Sequence, residues 1–587
     1  MNHRQVFLVG ALVVVGILLG LGMPGERVSL AAGTIIYVDA DARGAENGSS
    51  WNKAYRDLQD ALDSAKNRDQ IWVAKGTYTP TEEFSPGDPR SASFQLQNGV
   101  ALYGGFDPTV GDNDWEDRDW VNNTTILSGD LNGDDGWNFA NYGENSYHVV
   151  YNPWGLALDS SAILDGFTIQ GGNANSTHYL GGGMFNDVSS PSIANCTFTG
   201  NTSIYGGGMA NLSASPSLSS CTFTLNTAND GGGMYNWEGA SPMLTNCVFA
   251  DNFAYWGGGG IYNMTSASPS LTNCKFERNI AGISGGGMFS DSSSPIMTNC
   301  TFWGNSANDG GGVYNINYSS PKLTNCTFSG NVAGTSGGGM YSYYYSSPLL
   351  TNSILWGDSS PEIGNGYSST TSVTYSNIQG GYSGMANISA DPFFVDAVQG
   401  DFHLGRGSPC IDSGNNSAEY LPSSDFEGDE RILDGNGDET ATVDMGVDEL
   451  DEIYPPVVVY VHQGATGASD GTSWTDAFTT LQPALEVTVN GDQIWVAAGT
   501  YKPTRELTPG NPRTRTFQMK NGVALYGGFA GYESSLDERD WVANLTILSG
   551  DLNGDDGADF ANNSENSYHV VTGADGAISG TASMATK

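Results

Sequence analysis

The stretch Leu323-Thr324-Asn325-Cys326-Thr327-Phe328-Ser329-Gly330-Asn331, followed by Gly337-Gly338-Gly339-Met340, decides the fold because it is one member of a series. Cysteines at 196, 221, 247, 274, 300 and 326 stand 25, 26, 27, 26 and 26 residues apart. Each is preceded by Ser-Pro and closes into Phe-x-x-Asn, and each is followed by a glycine triplet and a hydrophobic–aromatic–polar run such as Val313-Tyr314-Asn315. A fixed period of this length marks a solenoid, in which each unit buries its apolar face only against its neighbours. The spacing of leucine-rich repeats is absent, and so much Gly, Ser, Thr and Asn disfavours the helical repeats. The expected fold is therefore all-β: a right-handed parallel β-helix over residues 160–390 with coils of about 26 residues.

Period-two alternation assigns faces. Cys326 and Phe328 share the inner face with Thr324, leaving Asn325 and Thr327 outside. With coils about 4.8 Å apart, the Cys and Phe columns become internal ladders. The cysteines then fit either free thiols in a narrow core or disulfides between adjacent coils. A metal site does not suit them, because no C-x-x-C pair or His lies nearby. The Asn column from Asn201 to Asn331 is expected to take left-handed backbone and bond from coil to coil. Met, Ile or Val after each glycine triplet should point inward, as Met184 and Ile261 would. The next column, Phe185, Tyr235, Tyr262, Phe289, Tyr314 and Tyr341, should point out, with Ala210 as its one gap. Flanked by Asn and Ser, it is either a glycan-binding strip or a stabilising stack of the outer face.

Outward from the repeats, residues 33–159 read as a capping module whose short helix, around Leu58-Gln59-Asp60-Ala61-Leu62, shields the first coil. It carries a strand at Ile71–Ala74, a turn at Lys75–Tyr78, and strands at Val100–Phe106 and Thr125–Gly129. Residues 454–587 repeat this module almost verbatim: Ile494-Trp495-Val496-Ala497 copies Ile71–Ala74, and Ser-Tyr-His-Val-Val recurs around His148 and His569. The second copy stops where the first runs on into coils, and is expected to be the less stable. Residues 391–453 form a strand-rich closing segment, and Pro455-Pro456 marks the linker. At the start, His3 and Arg4 precede an 18-residue apolar run from Val6 to Met23, with small residues at Ser29, Ala31 and Ala32. Residues 1–32 thus read as an export signal cleaved after Ala31, or as a retained anchor; no later segment could span a bilayer.

Composition narrows the function. There are 64 acidic and 22 basic residues, a net charge of −42, which excludes nucleic acid and anionic membrane as partners. The 80 glycines have no collagen period, and 39% apolar content with 28 Tyr and 23 Phe argues against disorder. Acidic loops have metal character: Asp130-Leu131-Asn132-Gly133-Asp134, its copy Asp551-Leu552-Asn553-Gly554-Asp555, and Asp434-Gly435-Asn436-Gly437-Asp438. Oxygen ligands at alternate positions match the first half of a calcium loop, but Asn141, Asn562 and Met445 stand where the closing Glu belongs. Ordinary Asp/Asn turns explain the same residues. From 151 to 400 the only bases are Lys275, Arg278 and Lys322, a poor supply for a polyuronate lyase, which must meet substrate carboxylates. Arg278 falls one coil from Asp251, as a structural pair would. Asp230 and Asp309 occupy equivalent positions three coils apart, too far for a glycosidase pair. His148 and His569 read as packed module residues.

The Phe328-Ser329-Gly330-Asn331 and Gly337-Gly338-Gly339-Met340 motifs resemble the FxxN and GGA(I/L/V) repeats of polymorphic outer-membrane proteins, and the coils resemble the pectin-lyase-like superfamily. The resemblance covers about residues 160–380. Residues Asp391 through Arg431, with Asp444-Met445-Gly446-Val447-Asp448-Glu449, look like the closing domain of bacterial choice-of-anchor surface proteins. These resemblances imply residence outside the cell, at the surface and with an outer-membrane association. The acid motifs of polygalacturonases and the arginine motif of pectate lyases are not found, so no catalytic residue carries over. Two classes stay open. One is a non-enzymatic adhesin or envelope protein that binds an extracellular glycan or envelope component; the other is a polysaccharide lyase or glycoside hydrolase acting in the groove. Calcium is the only cofactor suggested.

Overall fold

The computed structural model describes residues 33–573 apart from 111–113, 137–139, 176, 360, 438, 452–455, 490, 521 and 558–560. The export signal expected over 1–32, Asp438 and Pro455 lie outside the described residues. Among the described residues, no helix is long and apolar enough to cross a membrane.

The chain is an all-β, right-handed parallel solenoid. The central coils each contribute to four sheets, which can be named by their inward columns. A 12-stranded sheet carries the leucine column, an 11-stranded sheet the phenylalanines, a 7-stranded sheet the alanines, and a 9-stranded sheet the methionines. Register aligns like with like: Leu244 pairs with Leu271, Phe249 with Phe276, Ala254 with Ala281, and the apolar Ile261 with Met288. The leucine sheet starts well before residue 160. Ile36, Ile71 and Leu102 precede Leu164 in one continuous register. Helix α1, Leu58–Ser64, buries Leu58, Ala61 and Leu62 in the same core. The capping module is thus the beginning of the solenoid's own core. Its Lys75–Tyr78 segment is not a turn as expected: Gly76–Tyr78 is a strand paired with Thr125–Leu127.

The segment that announced the fold is two strands rather than one. Lys322–Thr324 belongs to the leucine sheet and Thr327–Ser329 to the phenylalanine sheet. Between them Asn325 sits at φ 51°, and its equivalents Asn246, Asn273 and Asn299 are also left-handed. A left-handed residue swings the chain round a corner, which Asn tolerates at little cost. The corner also breaks the alternation. Leu323, Cys326 and Phe328 all point inward, and Thr324 points outward, where its hydroxyl bonds Glu419 O at 2.8 Å. The second corner likewise differs from expectation. The ladder asparagines are not left-handed; the residue before each is, as at Asp251, Arg278 and Gly330. This leaves Asn279 free to donate from Nδ2 to Phe249 O (2.8 Å) and Asn305 Oδ1 (2.9 Å), while its backbone N–H donates to that same oxygen at 3.0 Å. Fully satisfied polar columns of this kind stiffen a core that has little width.

The inner columns pack as ladders. Phe276 and Phe302 stack at 4.5 Å between ring centroids and 3° between planes, and neighbouring pairs are similar. All seven cysteines are free and buried. Glycine is required at the triplet for two reasons. The first residue has positive φ, as at Gly258 (63°), and a Cβ on the third would crowd the next layer. On Gly260 it would stand 2.5 Å from Gly287 O and 2.9 Å from Phe276 Cδ1. Two further ladders were not read from sequence. Asn152, Asn186, Asn211, Asn236 and Asn263 form an inward amide chain with Nδ2–Oδ1 distances of 2.8 to 2.9 Å. Serines before the prolines link coils through Oγ, as Ser268 N does to Ser241 Oγ at 3.1 Å.

Among its described residues the closing segment, expected to be rich in strands, has only Phe394–Asp396 and Asp401–Leu404, an antiparallel pair. Its remainder folds back along the side of the coils. Arg431 is buried and donates to Asn299 Oδ1 (2.9 Å) and Val447 O (2.7 Å), and Asn325 Nδ2 donates to Asp444 O (2.9 Å). Ile354, Leu404, Cys410, Ile411 and Met445 form a small core beneath it. The second module repeats the first, including helix α2, Leu481–Val487. Its sheet ends early, however. Ala101–Phe106 is flanked by strands on both sides, whereas Ala524–Phe529 pairs only with Gln493–Ala497 among the described residues.

Candidate functional site

The outward aromatic column is present in register, Phe185–Ala210–Tyr235–Tyr262–Phe289–Tyr314–Tyr341. Tyr151 extends it at the start, a member the repeat count did not reach. Its rings lie face to face: Tyr262 and Phe289 are 4.4 Å apart at 13°, and Phe289 and Tyr314 are 5.1 Å apart at 15°. Phe185, Tyr235 and Tyr314 are buried, and the rings of Tyr262 and Phe289 lie against Gly257, where a Cβ would come within 3.1 Å of both. A ring whose faces are taken by its neighbours offers a ligand only its rim. The asparagines flanking the strip turn inward into the amide ladder, so they are not ligand groups either. Beside the column, Tyr179, Ile204, Tyr205, Tyr235, Trp237 and Met264 line a cleft of ≈ 440 Å³.

A second aromatic group is far more exposed. The left-handed turn after the methionine strand carries small or polar residues in most coils. In three successive coils it carries Tyr318, then Tyr344 and Tyr345, then Tyr367, all at positive φ. These rings are 66%, 38%, 42% and 56% exposed. Tyr318 stacks on Tyr345 (5.3 Å, 7°) and Tyr344 on Tyr367 (4.9 Å, 10°), with the two pairs meeting edge to face. The signal in the sequence was the run Tyr343-Tyr344-Tyr345, one coil after Tyr318. It falls in a turn, where alternation assigns no face.

The ionisable groups divide into several settings. Asp230 and Asp309 stand in one column with Gly257 and Ser284 between them, about 14 Å apart at the coil spacing. Burial pushes Asp230 up to about 6, and its Oδ1 accepts from Gly257 N at 3.2 Å. Arg278 pairs with Asp251 through Nε and Nη2, both at 2.9 Å, as the spacing predicted. His148 is buried, held at about 4 by desolvation, and its Nδ1 lies 2.9 Å from Gly181 O. His569 departs from the packed role expected of it: it is exposed beside Tyr568 and Leu507, because no described coil covers it as residues 181–183 cover His148.

Three groups of acids converge. Asp130, Asp134, Asp135 and Glu144 bring one ligand atom each within 4.8 Å of one another, as do Asp551, Asp555 and Glu565, and His403, Glu427 and Asp448. In the third group His403 Nε2 lies 2.9 Å from Glu427 Oε2, its Nδ1 meets Asp401, and these partners push it up to about 9 despite burial. Asn132 and Asn553 are exposed. Asp434 belongs to none of these groups; its carboxylate accepts from Gly437 N and Glu439 N, both at 2.8 Å, and Asn436 N donates to Asp412 at 2.7 Å.

These features sit on a fold with known company. The family profile described as right handed beta helix region matches residues 155–283 and 229–380. No curated protein matches the chain significantly. Among solved structures, pectate lyase Pel9A is similar at 12% identity over 72% of this chain and 97% of its own, with a TM-score of 0.40. A rhamnogalacturonan lyase (11% identity, 70% of this chain and 97% of its own, TM-score 0.29) and the PL6 family alginate lyase AlyGC (12%, 80% and 67%, TM-score 0.28) are also similar. Likeness at this level concerns the solenoid and says nothing of activity.

Proposed function

We propose that this is an exported, surface-located or secreted β-helix protein that acts without catalysis, as an adhesin or envelope structural protein holding glycan chains. The observation that carries the reading is the tyrosine group Tyr318, Tyr344, Tyr345 and Tyr367, four exposed rings on a rigid solenoid edge. Phenolic rings present an apolar face to the C–H face of a sugar and a hydroxyl to its rim. Rings fixed on coils about 4.8 Å apart lose little freedom on binding. The cleft lined by Tyr179, Tyr205, Tyr235 and Trp237 offers a second aromatic seat on the same solenoid. A net charge of −42 favours neutral glycans over polyuronates, which it would repel. The resemblance of the repeats to those of polymorphic outer-membrane proteins, and of the closing segment to choice-of-anchor surface proteins, supports residence at the cell surface.

The test is a glycan array probed with the purified chain, beside reducing-sugar and unsaturated-product assays on the same polysaccharides. Binding to neutral glycans without turnover is expected. Turnover of any polysaccharide would replace this reading with the lyase or hydrolase reading, and an array without a single binder would end it.

A further inference from the structure

The loop after Thr125–Ser128 begins as an Asp/Asn turn, with Asp130 Oδ1 accepting from Gly133 N (2.6 Å) and Asp134 N (3.2 Å), and Oδ2 from Asp135 N (3.1 Å). That alone would make it ordinary. The chain then returns and sets Glu144 beside Asp130, Asp134 and Asp135, supplying the carboxylate missing at the twelfth position. Beneath them Asn145 is completely buried, and its Nδ2 donates to Asp135 Oδ2 (2.8 Å) and Gly171 O (2.6 Å). Three buried oxygens at this spot, Asp135 Oδ1, Glu144 Oε1 and Asn145 Oδ1, have no hydrogen-bond donor among the described residues. Buried acceptors without donors are costly and uncommon.

The second module rebuilds the arrangement 421 residues later. Asp551, Asp555 and Glu565 converge, Asn566 Nδ2 donates to Asp556 Oδ2 (2.7 Å), and Glu565 Oε1 and Asn566 Oδ1 again lack donors. Several nearby residues differ between the copies, Lys502 among them. Lys502 reaches this loop, coming 2.7 Å from where a Cβ on Gly554 would stand, whereas Thr79 holds the equivalent place in the first module.

We propose that Asp130, Asp134, Asp135, Glu144 and Asn145 form a calcium site, and that Asp551, Asp555, Asp556, Glu565 and Asn566 form a weaker copy beside which Lys502 supplies part of the positive charge. Donors that are all oxygen, clustered on an irregular loop, suit a hard cation of flexible coordination and not zinc. The affinity expected is that of extracellular modules, with Kd about 10⁻⁴–10⁻³ M. Bound there, the ion ties the loop before residue 137 to the segment that runs through His148 into the strand Val150–Asn152, at the junction of cap and coils.

The full chain, stripped with EDTA, is titrated with CaCl2 by calorimetry. Saturable uptake is expected, weakened about tenfold or more by Glu144→Gln and by the surface change Thr79→Lys; Lys502→Thr should tighten the second site. Near-ultraviolet circular dichroism verifies that each variant is folded. Absence of uptake by the parent chain at about 10 mM calcium overturns the proposal. So does unaltered calcium affinity of the first site in folded Glu144→Gln or Thr79→Lys.

Discussion

Asn331 donates from its backbone N (2.7 Å) and from its side-chain Nδ2 (2.8 Å) to one oxygen of Asp358, so the internal asparagine ladder ends on a carboxyl group. Glu362 is buried beside it, and among the described residues neither Asp358 Oδ2 nor Glu362 Oε2 has a partner apart from the other carboxyl. Burial raises both acids, and the neighbouring Glu362 carboxyl raises Asp358 further while the hydrogen bond with Asp358 lowers Glu362 in part. The pair therefore shares a proton in the folded state. Because the folded chain holds protons that the unfolded chain releases, stability is greatest below the ordinary carboxylate range and declines as pH rises through the raised values. Asp358→Asn would keep the acceptor for Asn331 and donate to Glu362. It should stabilise the solenoid by about 1–3 kcal/mol at pH 8 and flatten the slope between pH 5 and 8, as read by denaturant unfolding at both.

The second amide ladder breaks at Ser290. That residue pairs in register with Asn263 and Asn315, yet Asn263 Nδ2, Ser290 Oγ and both polar atoms of the Asn315 side chain are buried without partners. Ser290→Asn should rejoin the chain of amides and raise the thermal midpoint, with a gain of about 1–2 kcal/mol. A lower midpoint would mean that the site has no room for the larger side chain.

The cysteine column makes a chemical prediction. Burial pushes Cys196 and Cys410 up to about 12, and all seven thiols are inside the structure. A thiol reagent at pH 8 should find none of them in the native chain and all seven after denaturation without reductant. Fewer than seven in the denatured chain would indicate disulfides between coils.

Glycan binding should depend on the exposed rings and not on the buried stack. Tyr345→Ala and Tyr367→Ala should each weaken binding about tenfold, the value of a lost aromatic contact, and leave the unfolding midpoint within a few degrees. Tyr262→Ala should do the reverse, destabilising the solenoid by about 2–4 kcal/mol with little direct effect on affinity. Equal effects of all three on binding would count against the tyrosine group as the seat.

The two copies of the capping module should differ in local stability. Leu102 and Tyr103 are buried by Ile163–Asp165 on their open side, while Leu525 and Tyr526 are partly exposed. Amides of Ala524–Phe529 should exchange with deuterium much faster than those of Ala101–Phe106. Equal protection would show that the second edge is covered in solution.

The sequence by itself determined the solenoid, its period and most inner columns. Near-identical side chains repeated every coil can be satisfied only by stacking like on like, so Phe276 over Phe302 and Asn279 over Asn305 were legible from spacing alone. Alternation misled wherever a left-handed residue intervened: Asn325 turns Thr324 outward, and the tyrosines at 318, 344, 345 and 367 sit in a corner that has no strand face. Only the tertiary structure decided which aromatics are free. Ring faces in the Phe185–Tyr341 column are consumed by coils above and below, a matter of ångströms between layers that residue order does not express. It also decided the acidic sites, because Glu144 reaches Asp130 through a loop return and not through a fixed interval. Local chemistry sets which residues repeat; the packing of one coil on the next sets which of them remain for a partner.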